Sequence, residues 1–168
     1  FLDAREEEAS LGGLSVAAIT HGPKMQVASA HLDHKSEPLR AKQLRRMCEL
    51  LKAEAPALHL VCGDLNTFCK RDHGDSAWRD ILAFYASRGW GEPAEASATL
   101  DAASEMGFSD AAAGRGDLEV TCWTHNPLFR IDHVLLNAAL KERCAVLDYR
   151  RLDSKASDHF PVVVDLGI

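Results

Sequence analysis

Short apolar runs separated by turn residues predict strands and one long helix in the first third of the chain. The runs at 14–20 and 25–32 are joined by His21-Gly22-Pro23-Lys24, a turn-rich link that predicts a β-hairpin. Apolar residues at helical spacing then predict an amphipathic helix over residues 39–54. The short apolar run at 58–62 predicts a buried strand after it.

In the rest of the chain the pattern predicts two helices followed by consecutive strands. Ser76 is the predicted N-cap of a helix that runs to about residue 88, and residues 100–106 form a shorter predicted helix. Four more strands are predicted, at 120–124, 129–137, 144–152 and 160–166. Helices between the early strands and adjacent strands later indicate a mixed sheet in a layered α/β (α+β) architecture.

Composition and charge favour one globular domain. The 168 residues are 46% hydrophobic and 26% charged, which is enough apolar material for a core. The net charge of −6 argues against a protein that holds nucleic acid mainly through a broad basic face. A polyanionic substrate would need a local positive site, such as a bound divalent cation. The apolar runs are too short for a transmembrane segment, and the acidic start does not match a signal peptide.

The cysteines predict free thiols. They are odd in number, scattered and without a C-x-x-C pair: Cys48, Cys62, Cys69, Cys122 and Cys144. Unpaired cysteines favour an intracellular location, although the compartment is otherwise open.

Charged residues inside apolar runs are the strongest chemical signal. Asp132 lies within one predicted strand, and Asp158 with His159 precedes the last one. An ionised carboxylate is costly to bury without a cation, a histidine or a metal beside it. If the two segments are neighbours, they supply an Asp-His pair able to activate water, with a second carboxylate available for a metal.

Two further strand ends carry polar side chains. Asp64 and Asn66 follow a buried strand, where α/β sheets commonly place their sites, and His31 closes the strand before it. Each has a structural alternative, an Asx turn for Asp64 and Asn66 and a hydrogen-bonded strand-end residue for His31. Their recurrence at four strand ends favours one shared site.

Four segments, in this order, resemble the endonuclease/exonuclease/phosphatase superfamily, which has the deoxyribonuclease I-like fold. They are His31-Leu32-Asp33, Gly63-Asp64-Leu65-Asn66, Arg130-Ile131-Asp132-His133 and Ser157-Asp158-His159-Phe160-Pro161-Val162. The resemblance extends from about residue 14 to the end. It implies a two-sheet sandwich flanked by helices and a phosphoesterase or nuclease-like hydrolase that uses Mg²⁺ or Mn²⁺.

The resemblance also implies a role for each site residue. His159 resembles the catalytic histidine, Asp132 the carboxylate that orients it, and Asp158 a metal-associated carboxylate. Asp64 and Asn66 resemble the pair that positions the attacking water, with Asp64 also near the metal and Asn66 on the phosphate. His31 resembles a phosphate-binding histidine. The implied substrate is a phosphate ester, with nucleic acid and phospholipid headgroups as candidates.

The superfamily domain has two similar halves, and residues 14–168 resemble the second, after a lead-in at 1–13. The first half should supply a Glu that is the principal metal ligand, and no residue here matches it; Glu6, Glu7 and Glu8 lie in a polar stretch predicted to be solvated. Three explanations stay open: a longer protein, a separate chain that carries the first half, or a non-catalytic piece of a larger assembly. The alternative to an enzyme is therefore a catalytically incomplete binding or structural module.

Overall fold

The computed structural model describes residues 13–19, 24–53, 57–115 and 118–167, with 13–19 described by their backbone alone. Seven strands occur in this part of the chain: β1 Gly13–Ile19, β2 Met25–His31, β3 Leu58–Asp64, β4 Phe108–Asp110, β5 Asp132–Asn137, β6 Ala145–Arg151 and β7 Val162–Gly167. Four α-helices accompany them: α1 Glu37–Lys52, α2 Asp75–Ser87, α3 Ala98–Glu105 and α4 Ala138–Arg143. A short 3-10 helix covers Lys70–Asp72.

The strands form a five-stranded sheet and a two-stranded sheet. The larger sheet has the order β1-β2-β3-β5-β4, and the smaller one pairs β6 with β7. Within the larger sheet β2 and β3 are parallel, whereas the other neighbours are antiparallel. β1 and β2 pair as predicted for a hairpin, although the proposed turn residues 21–23 lie outside the described residues.

Helix α1 covers the outer face of the larger sheet. Ser36 caps its N-terminus by accepting a hydrogen bond from the Leu39 backbone N–H, and Pro38 sits in the first turn, where its missing N–H costs nothing. The buried stripe of the helix, including Leu44 and Met47, packs with α3 against the sheet residues Ala28, Ala30, Val61, Phe108 and Leu135. The predicted amphipathic pattern therefore reflects a real buried face.

The inner face of the larger sheet packs against β6, β7 and α4. Leu58, Leu60, Val134 and Leu136 are buried there, together with Leu140 of α4. Because these strands alternate faces at every residue, the inner set and the outer set interleave along β3 and β5. Residues of β6, β7 and α4 thus bury much of this apolar face, while Val27 and Cys62 remain half-buried.

Several predicted elements need correction. The N-cap of α2 is Gly74, and Ser76 lies inside the helix, because the helix begins with Asp75 in its first turn. Residues 120–124 form no strand; Cys122 makes only isolated bridges to Phe129 and His159. Strand β4 and helix α4 were not predicted, since three and six residues are too short to show a period.

Two other sequence predictions concern thiols and membrane spans. All five cysteines are free, as predicted. In the described part of the chain, no helix is both long and apolar enough to cross a membrane.

The strand register aligns three polar residues at one edge of the larger sheet. His31 is the register partner of Asp64 in the parallel pair, and Asp64 is the partner of Asp132 in the antiparallel pair. Each continues the inner-face series of its own strand, as Leu60 and Cys62 precede Asp64 on β3. The three side chains are therefore brought to the inner face by the same alternation that builds the core.

We predict that Gly63→Ala destabilises the protein. Gly63 has φ +133°, and an added Cβ would lie 2.1 Å from the Ala30 carbonyl oxygen on β2. A backbone clash cannot be relieved by a side-chain rotation, so the expected loss is about 2 kcal/mol or more in free energy of unfolding. Denaturant titration measures it. Gly91→Ala is the control, because nothing lies within 4 Å of its added Cβ; equal stability of the two variants would contradict the prediction.

Candidate active site

The hydrogen bond between Asp132 and His159 is the central contact of the candidate site. His159 Nδ1 lies 2.9 Å from Asp132 Oδ2 and 3.2 Å from Oδ1. Because an ionised carboxylate only accepts, Nδ1 carries the proton and donates it to Asp132. The second ring nitrogen, Nε2, lies 3.8 Å from Asp64 Oδ2. Asp132 therefore holds one ring nitrogen of His159, Nδ1, and the second, Nε2, points toward the Asp64 carboxylate.

The charges around His159 favour its protonated form. Burial alone would lower its pKa, but the hydrogen bond and charge of Asp132 outweigh burial and raise the pKa above the ordinary value. The charges of Asp64 and Asp158 act in the same direction. The side chain is 25% exposed, so solvent can reach the ring. Three carboxylates therefore favour the imidazolium form of His159.

Asp64 lies between the two histidines. Its Oδ2 is 3.5 Å from His31 Nε2, and its Oδ1 accepts a hydrogen bond of 2.8 Å from the Asn66 backbone N–H. Burial raises the pKa of the Asp64 carboxyl and the neighbouring Asp132 charge adds to the rise, partly offset by the Asn66 hydrogen bond and the histidines. His31 is mostly exposed, with 68% of its side chain accessible. Burial, more than any single neighbouring charge, therefore disfavours the ionised form of Asp64.

Asn66 shapes the turn that follows Asp64. Its backbone has φ +50°, a left-handed conformation that asparagine tolerates well, and its Nδ2 donates to the Leu32 carbonyl oxygen at 2.9 Å. The Asx-turn alternative is thus present in part, since Asp64 Oδ1 accepts from the backbone two residues later. The same turn also holds Asp64 and Asn66 beside the other site residues.

Asp158 enters the site from the loop before β7. Its carboxylate is exposed and accepts a hydrogen bond of 3.2 Å from Ser157 Oγ. Its carbonyl oxygen accepts from the Thr124 N–H at 2.9 Å, which ties the loop to the 120–124 segment. The isolated bridge between Cys122 and His159 adds a second tie. Both ties hold the Asp158-His159 pair against the edge of the larger sheet.

The structure brings all six predicted site residues into one neighbourhood: His31, Asp64, Asn66, Asp132, Asp158 and His159. Sequence reasoning missed Thr121, which is buried and whose Oγ1 accepts hydrogen bonds of 3.2 Å from the backbone N–H groups of Ile131 and Asp132. Thr121 therefore fixes the backbone that carries Asp132. A buried threonine beside Cys122 gives no sequence signal of this role, because Thr is also common in strands.

A second group of acidic and imidazole side chains lies behind this site. Asp72, Asp110 and His133 are spaced closely enough to hold a metal ion. Arg130 Nη1 donates to Asp72 at 2.7 Å, and Nη2 donates to Asp110 at 2.9 Å, so a guanidinium already neutralises both carboxylates. Asp72 and His73, in the loop after Asn66, are both largely buried. A buried arginine requires acidic partners, which explains the burial of Asp72.

Comparison with known proteins identifies a family and several solved structures that this chain resembles. The family model described as "Endonuclease/Exonuclease/phosphatase family" matches residues 15–159. The comparison with curated proteins finds no match. Among solved structures, the endonuclease domain of TRAS1, a telomere-specific non-LTR retrotransposon, aligns with a TM-score of 0.63 and 13% identity. This alignment covers 92% of this chain and 64% of that one.

Two other solved structures have the same architecture. The 3′ phosphatase NExo from Neisseria, bound to a product DNA hairpin, has a TM-score of 0.60 and 18% identity, covering 91% of this chain and 65% of that chain. A humanized D. rerio TDP2 has a TM-score of 0.57 and 21% identity, covering 92% of this chain and 60% of that chain. The chain thus spans less than two thirds of the length of these structures.

The likeness in fold confirms the predicted deoxyribonuclease I-like architecture, with two sheets and flanking helices in the α+β class. The family match covers most of the chain and includes all four motif segments up to His159. The chain belongs to the endonuclease/exonuclease/phosphatase family.

Proposed function

We propose that this chain contributes the proton-handling part of a metal-dependent phosphoesterase that hydrolyses phosphodiester or phosphomonoester bonds. The observation that carries the proposal is the Asp132–His159 hydrogen bond beside Asp64, at an edge where three strands end in polar residues. Family membership supports a hydrolase of phosphate esters. Hydrolysis of such esters requires an activated water, neutralised phosphoryl oxygens and a stabilised leaving oxygen.

His159 and Asp132 supply the proton transfer in this proposal. Asp132 accepts from Nδ1, which fixes the tautomer and leaves Nε2 as the atom that exchanges a proton with the reacting groups. Asp132 also stabilises the imidazolium, since its charge raises the pKa of His159 against the effect of burial. Asp64 orients the attacking water, because its Oδ2 faces the same nitrogen at 3.8 Å.

His31 and Asn66 are the proposed phosphate-binding residues. The exposed imidazole of His31 lies 3.5 Å from Asp64, so it reaches the same cleft and can donate to a phosphoryl oxygen. Asn66 Nδ2 donates one of its two hydrogens to the Leu32 carbonyl and retains a second for a phosphate oxygen. Both residues supply donors where negative charge develops.

The residues present fit a hard divalent cation. Family members generally use divalent metals. Burial, with a smaller contribution from the Asp132 charge, raises the pKa of Asp64, and a cation beside this carboxylate would offset both effects. Asp64 and Asp158 would hold Mg²⁺ or Mn²⁺, since such ions use one or two carboxylates and retain several waters. When bound, the metal would neutralise phosphoryl charge and lower the pKa of water.

The substrate class remains a phosphate ester in this proposal. Solved structures of the fold include a 3′ phosphatase bound to a DNA hairpin product and a TDP2 complexed with a single-strand DNA product. Nucleic acid is therefore a candidate substrate, and phospholipid headgroups are another. The net charge of −6 favours recognition through the metal site over a broad basic surface.

We further propose that a first half of the domain supplies the principal metal-ligand Glu, either from the same protein or from a second chain. The solved structures are longer than the part matched by this chain, with 60% to 65% of TDP2, TRAS1 and NExo covered. Glu6, Glu7 and Glu8 lie outside the described residues, so the structure assigns them no position. The activity assays below accordingly use the natural full-length protein.

We predict that His159→Ala lowers Mg²⁺-dependent turnover of bis(p-nitrophenyl) phosphate or p-nitrophenyl phosphate by about 10²- to 10⁴-fold, the range of general acid–base catalysis. Folding should be unaffected, because the ring is partly exposed. His34→Ala is the control, since His34 is exposed and outside the site. Undiminished turnover by His159→Ala would exclude the proposed role. A wild-type protein inactive on all phosphate esters tested would favour the non-catalytic module.

We predict that Asp132→Asn lowers the pKa of His159. The substitution removes the charge and the ionic hydrogen bond that raise it, so the imidazolium loses its main support while burial continues to oppose it. A ring-proton NMR titration against pH measures the change. Asp158→Asn should lower the pKa less, because its charge contributes least among the three carboxylates. An unchanged titration in Asp132→Asn would contradict the assignment.

We predict that Asp158→Asn weakens the binding of Mn²⁺, measured directly by electron paramagnetic resonance titration of the metal-free full-length protein. Loss of a ligand should weaken affinity by at least the ~10-fold typical of changes around a metal site. Removal of metal by a chelator should abolish turnover, and added Mg²⁺ should restore it. Asp153→Asn is the control, as another exposed carboxylate in the same loop. Equal Mn²⁺ affinity of both variants would remove Asp158 from the ligand set.

A further inference from the structure

Five side chains form a buried charge cluster behind the candidate active site: Asp72, Asp110, Arg130, His133 and Tyr149. Arg130 and His133 are fully buried, and the two carboxylates are 7% to 8% exposed. Arg130 Nη2 donates to both oxygens of Asp110, at 3.0 and 2.9 Å, and to the Tyr149 hydroxyl at 2.9 Å. The cluster is thus a network of ionic hydrogen bonds between separate segments.

Asp110 joins Arg130 to His133 within the cluster. Besides the two contacts with Arg130, its Oδ2 lies 2.8 Å from His133 Nδ1, and its Oδ1 accepts from the Ala112 backbone N–H. Burial alone would raise the pKa of Asp110, but His133 and Arg130 hold it well below its ordinary range. A cation in this cluster would have to displace a guanidinium that stays charged. The arrangement therefore argues for a structural ion network here.

The cluster connects the two segments that carry the catalytic carboxylates. Arg130 and His133 flank Asp132, two residues before it and one after it. His133 Nε2 lies 2.9 Å from the Thr67 carbonyl oxygen, and because a carbonyl only accepts, Nε2 donates. Thr67 directly follows Asn66. The Leu65 N–H also donates to the Ile131 carbonyl at 2.9 Å, so backbone and side chains join the same segments.

Asp132 of the candidate site and His133 of the charge cluster lie on opposite faces of β5. Asp132 shares the inner face with Val134 and Leu136, whereas His133 shares the outer side with Leu135. Asp110 has no contact with Asp132 or His159 among the hydrogen bonds and ion pairs of the described residues. The hydrogen bonds that lead from the Asp110 side chain toward Asp132 and Asn66 run through Arg130 and His133.

We propose that Asp110 is a positioning residue for phosphoester hydrolysis: through Arg130 and His133 it holds the Asp132 backbone and the Asp64–Asn66 turn in register. This inference rests on the proposed function for its kinetic consequence, but not for its structural one. With Asp110 neutral, Arg130 keeps a single charged partner, Asp72, and His133 loses its carboxylate. Reacting groups displaced by about 1 Å can lose on the order of 10²-fold in rate.

The test is Asp110→Asn in the full-length protein, with Mg²⁺ and bis(p-nitrophenyl) phosphate. We expect kcat to fall by about 10- to 100-fold with a smaller rise in KM, because the displaced turn also carries Asn66, one of the two proposed phosphate-binding residues. Asp72→Asn is the matched control: it also removes one acidic partner of Arg130 but touches neither His133 nor Thr67. It should lower kcat less. Leu140→Ala controls for stability alone, because Leu140 is buried in α4 at the opposite end of β5 from Asp132.

Amide NMR shifts test the inference without turnover. In Asp110→Asn the amides of Leu65 to Thr67 and of Ile131 to His133 should shift or broaden more than in Asp72→Asn. Wild-type kcat in folded Asp110→Asn would overturn the proposal. A loss of kcat equal to that in Leu140→Ala at the same loss of Tm would also overturn it. If the wild-type protein has no activity, unperturbed amides in Asp110→Asn overturn the positioning role, and perturbed amides support it independently of the proposed function.

Discussion

The arrangement of charged groups in this domain depends on two carboxylates that lie directly opposite each other. The antiparallel register of β3 and β5 pairs Asp64 with Asp132 at the edge of the sheet, and like charges at such positions repel. Burial raises the pKa of Asp64, and the Asp132 charge adds to the rise. Two histidines offset this repulsion: His159 hydrogen-bonds Asp132, and His31 lies 3.5 Å from Asp64.

The charged residues in and just before β5 have partners on both sides of the larger sheet. On the inner face, Asp132 is satisfied by His159, a group that can release its proton. On the other side, Arg130 and His133 are satisfied by Asp72 and Asp110, and Arg130 keeps its charge at any physiological pH. In the proposed mechanism, this permanent ion network holds the backbone while the Asp132–His159 pair exchanges a proton.

The sequence reveals the site better than it reveals the elements around it. Asp132, Asp158 and His159 stand out in the sequence because charged residues in apolar runs need partners. Strand alternation accounts for the position of Asp132, whereas Asp158 and His159 come from the loop before β7. The order of four motifs adds the family. Contacts between distant segments could not be predicted. The sequence around Asp110 gives no sign that Asp110 pairs with Arg130, 20 residues later. Residues 120–124 have strand-like composition, yet tertiary contacts leave them only isolated bridges to Phe129 and His159.

Charge balance in the cleft also limits what can bind there. Asp64, Asp132 and Asp158 bring three carboxylates to one neighbourhood, and the imidazoles of His31 and His159 can offset two charges only when both are protonated. The proposed phosphate-ester substrate would add further negative charge to this cleft. In the proposed mechanism the His159 imidazole exchanges a proton, so it cannot also remain a permanent counter-charge. A bound cation would offset the added charge, and the Asp64 carboxylate, which neighbours both imidazoles and Asp132, is placed to hold it.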